Sequence, residues 1–238
     1  MHNFIAALRW MTILPLPFKP TDAKQDMKSM LPWLPVTGAI VGVGIVLFGY
    51  IGALYSSWLG ALLGTFAWLM ITGGLHADGL ADLSDAMGAS HGDKERFLQV
   101  LKDSHIGSFG TLALIFIVVF KLVLLKLLIE NGLWWVLFLI PIWARSGVLL
   151  WVRLPAFTDG FAALLDEASP SHMFVYWLIG LWFTSFCCGA GLFTAPVILF
   201  LWHMFLKYKI KGMNGDCLGA GIELCEVLLL WAVVVSAI

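Results

Sequence analysis

Seven long apolar runs, at positions 32–54, 58–75, 109–129, 133–150, 173–188, 192–206 and 222–235, decide what this chain can become. Each is near, or somewhat short of, the roughly 17–25 residues a helix needs to cross the hydrocarbon core of a bilayer. The chain is 61% hydrophobic and 12% charged with a mean hydropathy of +0.92. A soluble domain is nearer ~45–50% apolar, so the lipid bilayer is the expected solvent. The fold class is therefore all-α, a polytopic transmembrane helix bundle of about seven spans (six to eight), with residues 1–238 forming a single integral membrane domain. The fifth and sixth runs, split at 189–191, read equally well as one broken or re-entrant helix. Residues 1–31 form an interfacial N-terminal segment. Within it, 2–14 places Phe4, Ala7, Leu8 and Met11 on one side and Arg9 on the other, and the prolines of Leu-Pro-Leu-Pro at 14–17 stop the helix.

The charges fall almost entirely in the breaks between apolar runs. Lys and Arg near membrane ends are retained on the cytoplasmic side, which sets the topology. With the N-terminus inside, Arg9, Lys19, Lys24, Lys28, Lys94, Arg96, Lys102, Arg153, Lys207, Lys209 and Lys211 all become cytoplasmic, and of the fifteen acids only Glu130 lies outside. Lys121 and Lys126 fall in the outer half of the third run, where they snorkel or face the bundle. Trp33, Trp58, Trp134, Trp135 and Trp231 sit near run ends as an interfacial aromatic belt. A net charge of −1 with no basic face suggests no nucleic-acid partner. Cys187, Cys188, Cys217 and Cys225 lack metal or redox spacing and read as packing residues; His91, His172 and His203 read as interfacial or packed.

One stretch, 73–110, gathers acid, base and glycine, and its part 76–108 is predicted to be a cytoplasmic loop. Asp78, Asp82 and Asp85 recur at i, i+4 and i+7, which stacks three carboxylates on one helical face beside His76. Like charges so placed repel, and a hard divalent cation bound through oxygen relieves them, Mg²⁺ above all where phosphate is also a ligand. A second short helix is predicted from Asp93 to the Lys102-Asp103-Ser104-His105 run, delivering Lys102, Asp103 and His105 beside Gly107 and Gly110. Backbone there and at the following helix start suits close approach to a phosphate.

A third cluster spans 211–226. A glycine-rich turn, with Asn214, Gly215 and Asp216, is expected to feed the last span, offering amides to an anion or a carboxylate to the metal. Glu223 and Glu226 would lie within that span, where acids face a polar interior. Arg145, near the end of the fourth run, is their natural partner or a phosphate clamp. By the topology above, these clusters share one membrane face. A carboxylate cage, several cations and glycine turns in an apolar setting suit phosphoryl or phosphonucleotidyl transfer. No Walker loop or dinucleotide fingerprint occurs, which disfavours ATPases and dehydrogenases.

The runs TGGLHADGLADLSD (72–85), LKDSHIGSFG (101–110) and GDCLGAGIE (215–223), with Leu-Pro-x-Pro near the start and Arg145-Ser146 near the end of the fourth run, resemble the motifs of the cobalamin synthase family, the adenosylcobinamide-GDP ribazoletransferases. The resemblance implies a Mg²⁺-dependent enzyme of the bacterial or archaeal cell (inner) membrane with a cytoplasmic active site. Its substrates would be adenosylcobinamide-GDP and α-ribazole or its 5′-phosphate, and GMP would be released. Carried over by position, Asp78, Asp82 and Asp85 would be catalytic and, with Asp216, hold the metal. Lys102, Asp103, His105, Arg145, Asn214, Gly215 and Glu223 would serve the substrate phosphates. Ile13 stands where the family has Arg, His105 where it often has Arg, and Asn214 where it has Thr, which bears on one phosphate contact. Self-association as a homo-oligomer is left open. A CDP-alcohol phosphotransferase is the nearest rival, but it would need Arg after Ala in the Asp-Gly-x-Ala-Asp run and a later Gly-x3-Asp-x3-Asp, both missing. A carrier would place acids along a mid-membrane pore rather than crowd them on one face.

Overall fold

The computed structural model describes residues 2–16, 28–103, 105–157, 171–188 and 190–237. The polar segment from Lys19 to Met27, Pro17, Ser104, the loop 158–170 and Gly189 lie outside the described residues, as do the side chains of His172, Cys187 and Cys188. In chain order the helices are α1 (His2–Met11), α2 (Leu34–Ala53), α3 (Ser57–Thr72), α4 (Leu75–Ser90), α5 (Lys94–Leu101), α6 (Ser108–Glu130), α7 (Trp134–Trp151), α8 (Ser171–Cys188), α9 (Ala195–Phe205) and α10 (Gly215–Ala237). A 3₁₀ turn at Leu31–Trp33 leads into α2, another at Ala190–Thr194 leads into α9, and a π-helical turn at Leu206–Ile210 ends α9.

Five of these stretches, Lys28–Ala53, Ser108–Glu130, Trp134–Trp151, Gly191–Ile210 and Gly215–Ala237, are long and apolar enough to cross a bilayer. The α3–α4 pair passes the same test only when joined, and it is bent by 84°. The expected second run therefore stops short of position 75. Gly73 and Gly74 both adopt left-handed backbone, φ 63° and 71°, a conformation that side-chain-bearing residues resist. The two glycines end α3 and restart the chain almost at right angles, so α4 lies across the end of the bundle. The last span also differs: helix begins at Gly215, so the expected glycine-rich turn is the first two turns of α10.

The centre of the bundle is α7, of which nearly every residue from Val136 to Trp151 is buried. It packs on α2 and α10, while α3 pairs with α2 and α10 with α4. The outer faces carry Leu112, Ile115, Phe116, Val119 and Phe120 on α6, and Val43, Leu47 and Ile51 on α2, exposed apolar rows suited to lipid. Trp33, Trp58, Trp135 and Trp231 are exposed near helix ends, as a belt requires. Cys217 and Cys225 are buried free thiols within the core.

Candidate active site

The acidic helix α4 meets the start of α10 through glycine. A Cβ on Gly79 would lie 2.8 Å from the Asp216 Cα, and one on Gly219 would lie 3.2 Å from the His76 Cα. Both are tighter than an ordinary side-chain contact, so the two backbones approach only because both positions are glycine. The crossing sets Asp78 and Asp82 against Asp216 of α10. Asn214 fixes that aspartate: its Nδ2 donates to Asp216 Oδ2 at 2.6 Å, while its Oδ1 caps α10 by accepting from the Cys217 amide at 2.9 Å. Both ends of Asn214 are thus engaged with protein, an arrangement that holds Asp216 in place.

Asp82 carries the electrostatic signature of the site. Partial burial, and then the charges of Asp78, Asp216 and Asp85, raise its pKa to about 6. No Lys or Arg among the described residues forms a salt bridge with Asp78, Asp82 or Asp216. A cavity of about 130 Å³ opens at Asp78 and Asp216, lined also by Trp10 and Met11 of α1, His76 of α4, and Gly215 and Gly219 of α10. It is well below the roughly 300–1,000 Å³ that encloses a drug-sized ligand, and so suits a phosphate group with bulkier substrate parts outside. Among the described residues no three His, Cys, Asp or Glu side chains form a ready metal cage. Mg²⁺ does not require one: it is ordinarily held by one or two carboxylates, waters and substrate phosphate oxygens. Uncompensated carboxylates at the mouth of a small cavity fit that coordination.

Asp85 departs from the expected stripe. It is buried, and its oxygens accept from the amides of Gly107 at 2.7 Å and Gly110 at 2.9 Å. A Cβ on Gly107 would come within 2.5 Å of Asp85 Oδ1, which explains glycine there. The N-terminus of α6, read from sequence as a phosphate cradle, is filled by this carboxylate instead. Lys102, Asp103 and His105 are exposed on the segment between α5 and α6 and do not line the cavity. The His105 ring and amide bond to Asp103 at 2.7 and 3.1 Å, which lowers the Asp103 pKa. The helix α5 ends at Leu101, capped at its start by Asp93, so these residues do not continue it as predicted.

Arg145 and Glu223 also stand apart from the predicted substrate-binding set. Both are buried within the bundle in an ion network that sequence reading left incomplete. Lys121 Nζ donates to Glu223 Oε2 at 2.7 Å and Glu226 Oε2 at 2.6 Å, and lies 4.2 Å over the Trp68 ring. Arg145 Nη1 donates to Glu226 Oε1, so the network holds two cations and two carboxylates. Arg145 Nη2 sits 3.4 Å from His76 Nδ1, which ties the network to the first turn of α4. Burial, followed by the charges of Arg145 and Lys121, keeps His76 well below its ordinary pKa and hence neutral. A guanidinium only donates, so Nδ1 accepts and the ring proton lies on Nε2. The signal available in sequence was the charge balance of Lys121 with the two glutamates across a hundred residues, which spacing alone does not reveal.

Ile13, which stands where the family resemblance has Arg, donates its amide to the Ile71 carbonyl at 3.0 Å and covers Gly73 at the α3–α4 bend.

The family model for cobalamin-5-phosphate synthase matches residues 3–234. A Laribacter hongkongensis protein named adenosylcobinamide-GDP ribazoletransferase is 41% identical over 241 residues, covering 99% of this chain and 98% of the relative. Proteins of the same name from Novosphingobium aromaticivorans and Thiobacillus denitrificans are 37% and 38% identical, covering 100% and 95% of this chain and 98% and 92% of the relatives. No solved structure matches.

Proposed function

The chain belongs to the cobalamin-5-phosphate synthase family, and from that premise we propose that it joins adenosylcobinamide-GDP to α-ribazole, or to its 5′-phosphate, with release of GMP. The reaction would take place at the cytoplasmic face of the cell (inner) membrane and depend on Mg²⁺. The observation that carries this reading is the glycine-mediated crossing of α4 and α10, which brings Asp78 and Asp216 to one phosphate-sized cavity with Asp82 within reach of their charges.

Asp78, Asp82 and Asp216 would hold the cation. When bound, Mg²⁺ neutralises charge on the diphosphate and stabilises the departing GMP. In the balanced step, a ribose hydroxyl of the acceptor forms a bond to the cobinamide-side phosphorus and loses its proton. The bond from that phosphorus to the bridging oxygen breaks, and GMP leaves with the oxygen. The chain's contribution is positioning and electrostatics. Asn214 aims Asp216, and Asp85 anchors α6 against α4. His76 lines the cavity as a neutral ring whose remaining donor is Nε2–H, suited to a phosphate oxygen and not to accepting the hydroxyl proton there. Lys102 and His105, exposed beyond the cavity, would meet outlying substrate phosphates.

The test is direct: purified protein with Mg²⁺, adenosylcobinamide-GDP and α-ribazole should release GMP and form a cobalamin product. Failure to release GMP from protein that retains its fold and binds Mg²⁺ overturns the reading.

A further inference from the structure

Leaving the π-helical turn at Leu206–Ile210, the chain places Lys211 in left-handed backbone with φ 64°. Glycine or asparagine ordinarily takes such a C-cap position, because a Cβ there crowds the following carbonyl oxygen. Gly212 is adjacent, yet the lysine holds the strained site, its amide donating to the Leu206 carbonyl at 2.6 Å. Strain of this kind persists where a side chain must be aimed.

Lys211 forms a wall common to two cavities. One of about 520 Å³ is lined by Arg153, His203, Lys207 and Lys211 over an apolar floor that includes Leu150 and Leu154. The other, of about 250 Å³, adds Lys94 and Lys209. Asp93 is the one acid lining either cavity among the described residues, and its carboxylate already caps α5 through the amides of Glu95 and Arg96. Lys94, Lys207, Lys209 and Lys211 have no carboxylate within salt-bridge distance among the described residues. His203, expected from sequence to be interfacial or packed, lines the larger cavity, and its buried Nδ1 has no hydrogen-bond partner. Topological charge alone would account for lysines at a membrane edge, but not for a lysine in left-handed backbone or an orphaned imidazole nitrogen.

We propose that the larger cavity is a binding site for a phosphate-ester anion, separate from the aspartate site. The segment 211–216 lies between the two. Its Met213 amide bonds to the Pro155 carbonyl at 3.0 Å and its carbonyl accepts from Phe157 at 3.3 Å, with the cations before this pairing and Asn214 and Asp216 after it. The anion has two chemical sources. A phospholipid headgroup would use the apolar floor, and a soluble phosphate ester would use the cations alone.

The experiment uses full-length protein in neutral maltoside detergent with a chelator, so that no divalent ion draws anions to the aspartates. Inorganic pyrophosphate is titrated calorimetrically into wild type, Lys211→Gly and Lys207→Gln. Each substitution should weaken binding roughly tenfold, the effect of one lost charge-assisted contact. Lys211→Gly should at the same time keep or raise the thermal midpoint, because glycine suits the backbone; weaker binding without lower stability separates the site from a folding defect. In parallel, wild type and Lys211→Gly are melted in phosphatidylcholine nanodiscs with and without phosphatidylglycerol. A Lys211-dependent rise with phosphatidylglycerol alone identifies a lipid headgroup, and Lys211-dependent pyrophosphate binding identifies a soluble ester; either supports the site. Pyrophosphate binding that is absent or equal in both proteins, together with a lipid response equal in both, overturns it.

Discussion

Replacing Lys121 by methionine removes the charge that faces two buried glutamates while keeping an unbranched side chain only one atom shorter. In wild type the network balances Lys121 and Arg145 against Glu223 and Glu226, and all four are essentially inaccessible. In Lys121→Met one carboxylate is left without a cation, and the two short hydrogen bonds at 2.6 and 2.7 Å vanish. Breaking a buried pair from one side costs about 3–5 kcal/mol. At roughly 2–4 °C per kcal/mol for a chain of this size, the apparent thermal midpoint should fall by about 6–20 °C. The double variant Lys121→Met/Glu223→Gln restores neutrality, because Glu226 keeps Arg145, and should recover most of the loss. The buried thiols of Cys217 and Cys225 supply the assay: a thiol-reactive fluorophore reports their exposure as the detergent-solubilised protein melts. A Lys121→Met protein that melts with wild type, or a double variant no more stable than the single one, would refute the reasoning.

Other perturbations follow from the same geometry. Gly79→Ala would force α4 away from the Asp216 backbone, so activity should fall at least about tenfold with expression retained; GMP release by membranes checks this. Asp85→Asn keeps one acceptor oxygen but turns an amide toward the second backbone N–H, and should destabilise by about 1–3 kcal/mol in the same melting assay. Asn214→Ala removes the α10 cap at a cost of about 1 kcal/mol and frees Asp216, whereas Asn214→Thr should restore the cap in melting and recover part of the GMP release. For pH the sign is set by Asp82. Its folded pKa of about 6 lies above the ordinary aspartate value of 3.8, so the native state holds its proton more tightly than the unfolded chain. Its contribution to stability is therefore lost as pH rises through that window, while divalent-ion affinity, which needs the carboxylate, should weaken as pH falls below about 6. Calorimetric titration of Mg²⁺ at pH 5 and pH 7 measures the second effect.

Much of this was legible in the residues. Apolar run length revealed a membrane bundle, and the i, i+4 spacing of Asp78 and Asp82 placed them together on α4. What spacing could not reveal was direction in three dimensions. Asp85 shares the periodicity but turns into the bundle, because glycines at 107 and 110 open a socket for it on α6. The glycines of 215–221 read as a turn feeding the last span, since helix-interior glycine is usually disfavoured; here they serve close helix contact, a tertiary demand that overrides propensity. Glu223 looked available to substrate because its partner, Lys121, lies on a different helix, and Arg145 because its partner, Glu226, likewise lies far along the chain on another helix. The break after Thr72 was hidden by the continuity of apolar residues through Leu75, although the paired glycines marked it.

The central claim is that Asp78, Asp82 and Asp216, brought together by two helices, hold one divalent cation. Titrating Mn²⁺ into the purified protein by electron paramagnetic resonance measures this without recourse to turnover. One ion should bind per chain in wild type, and Asp78→Asn, Asp82→Asn and Asp216→Asn should each weaken it at least about tenfold, whereas Lys102→Gln should not. Wild-type affinity in Asp216→Asn would contradict a site shared between α4 and α10.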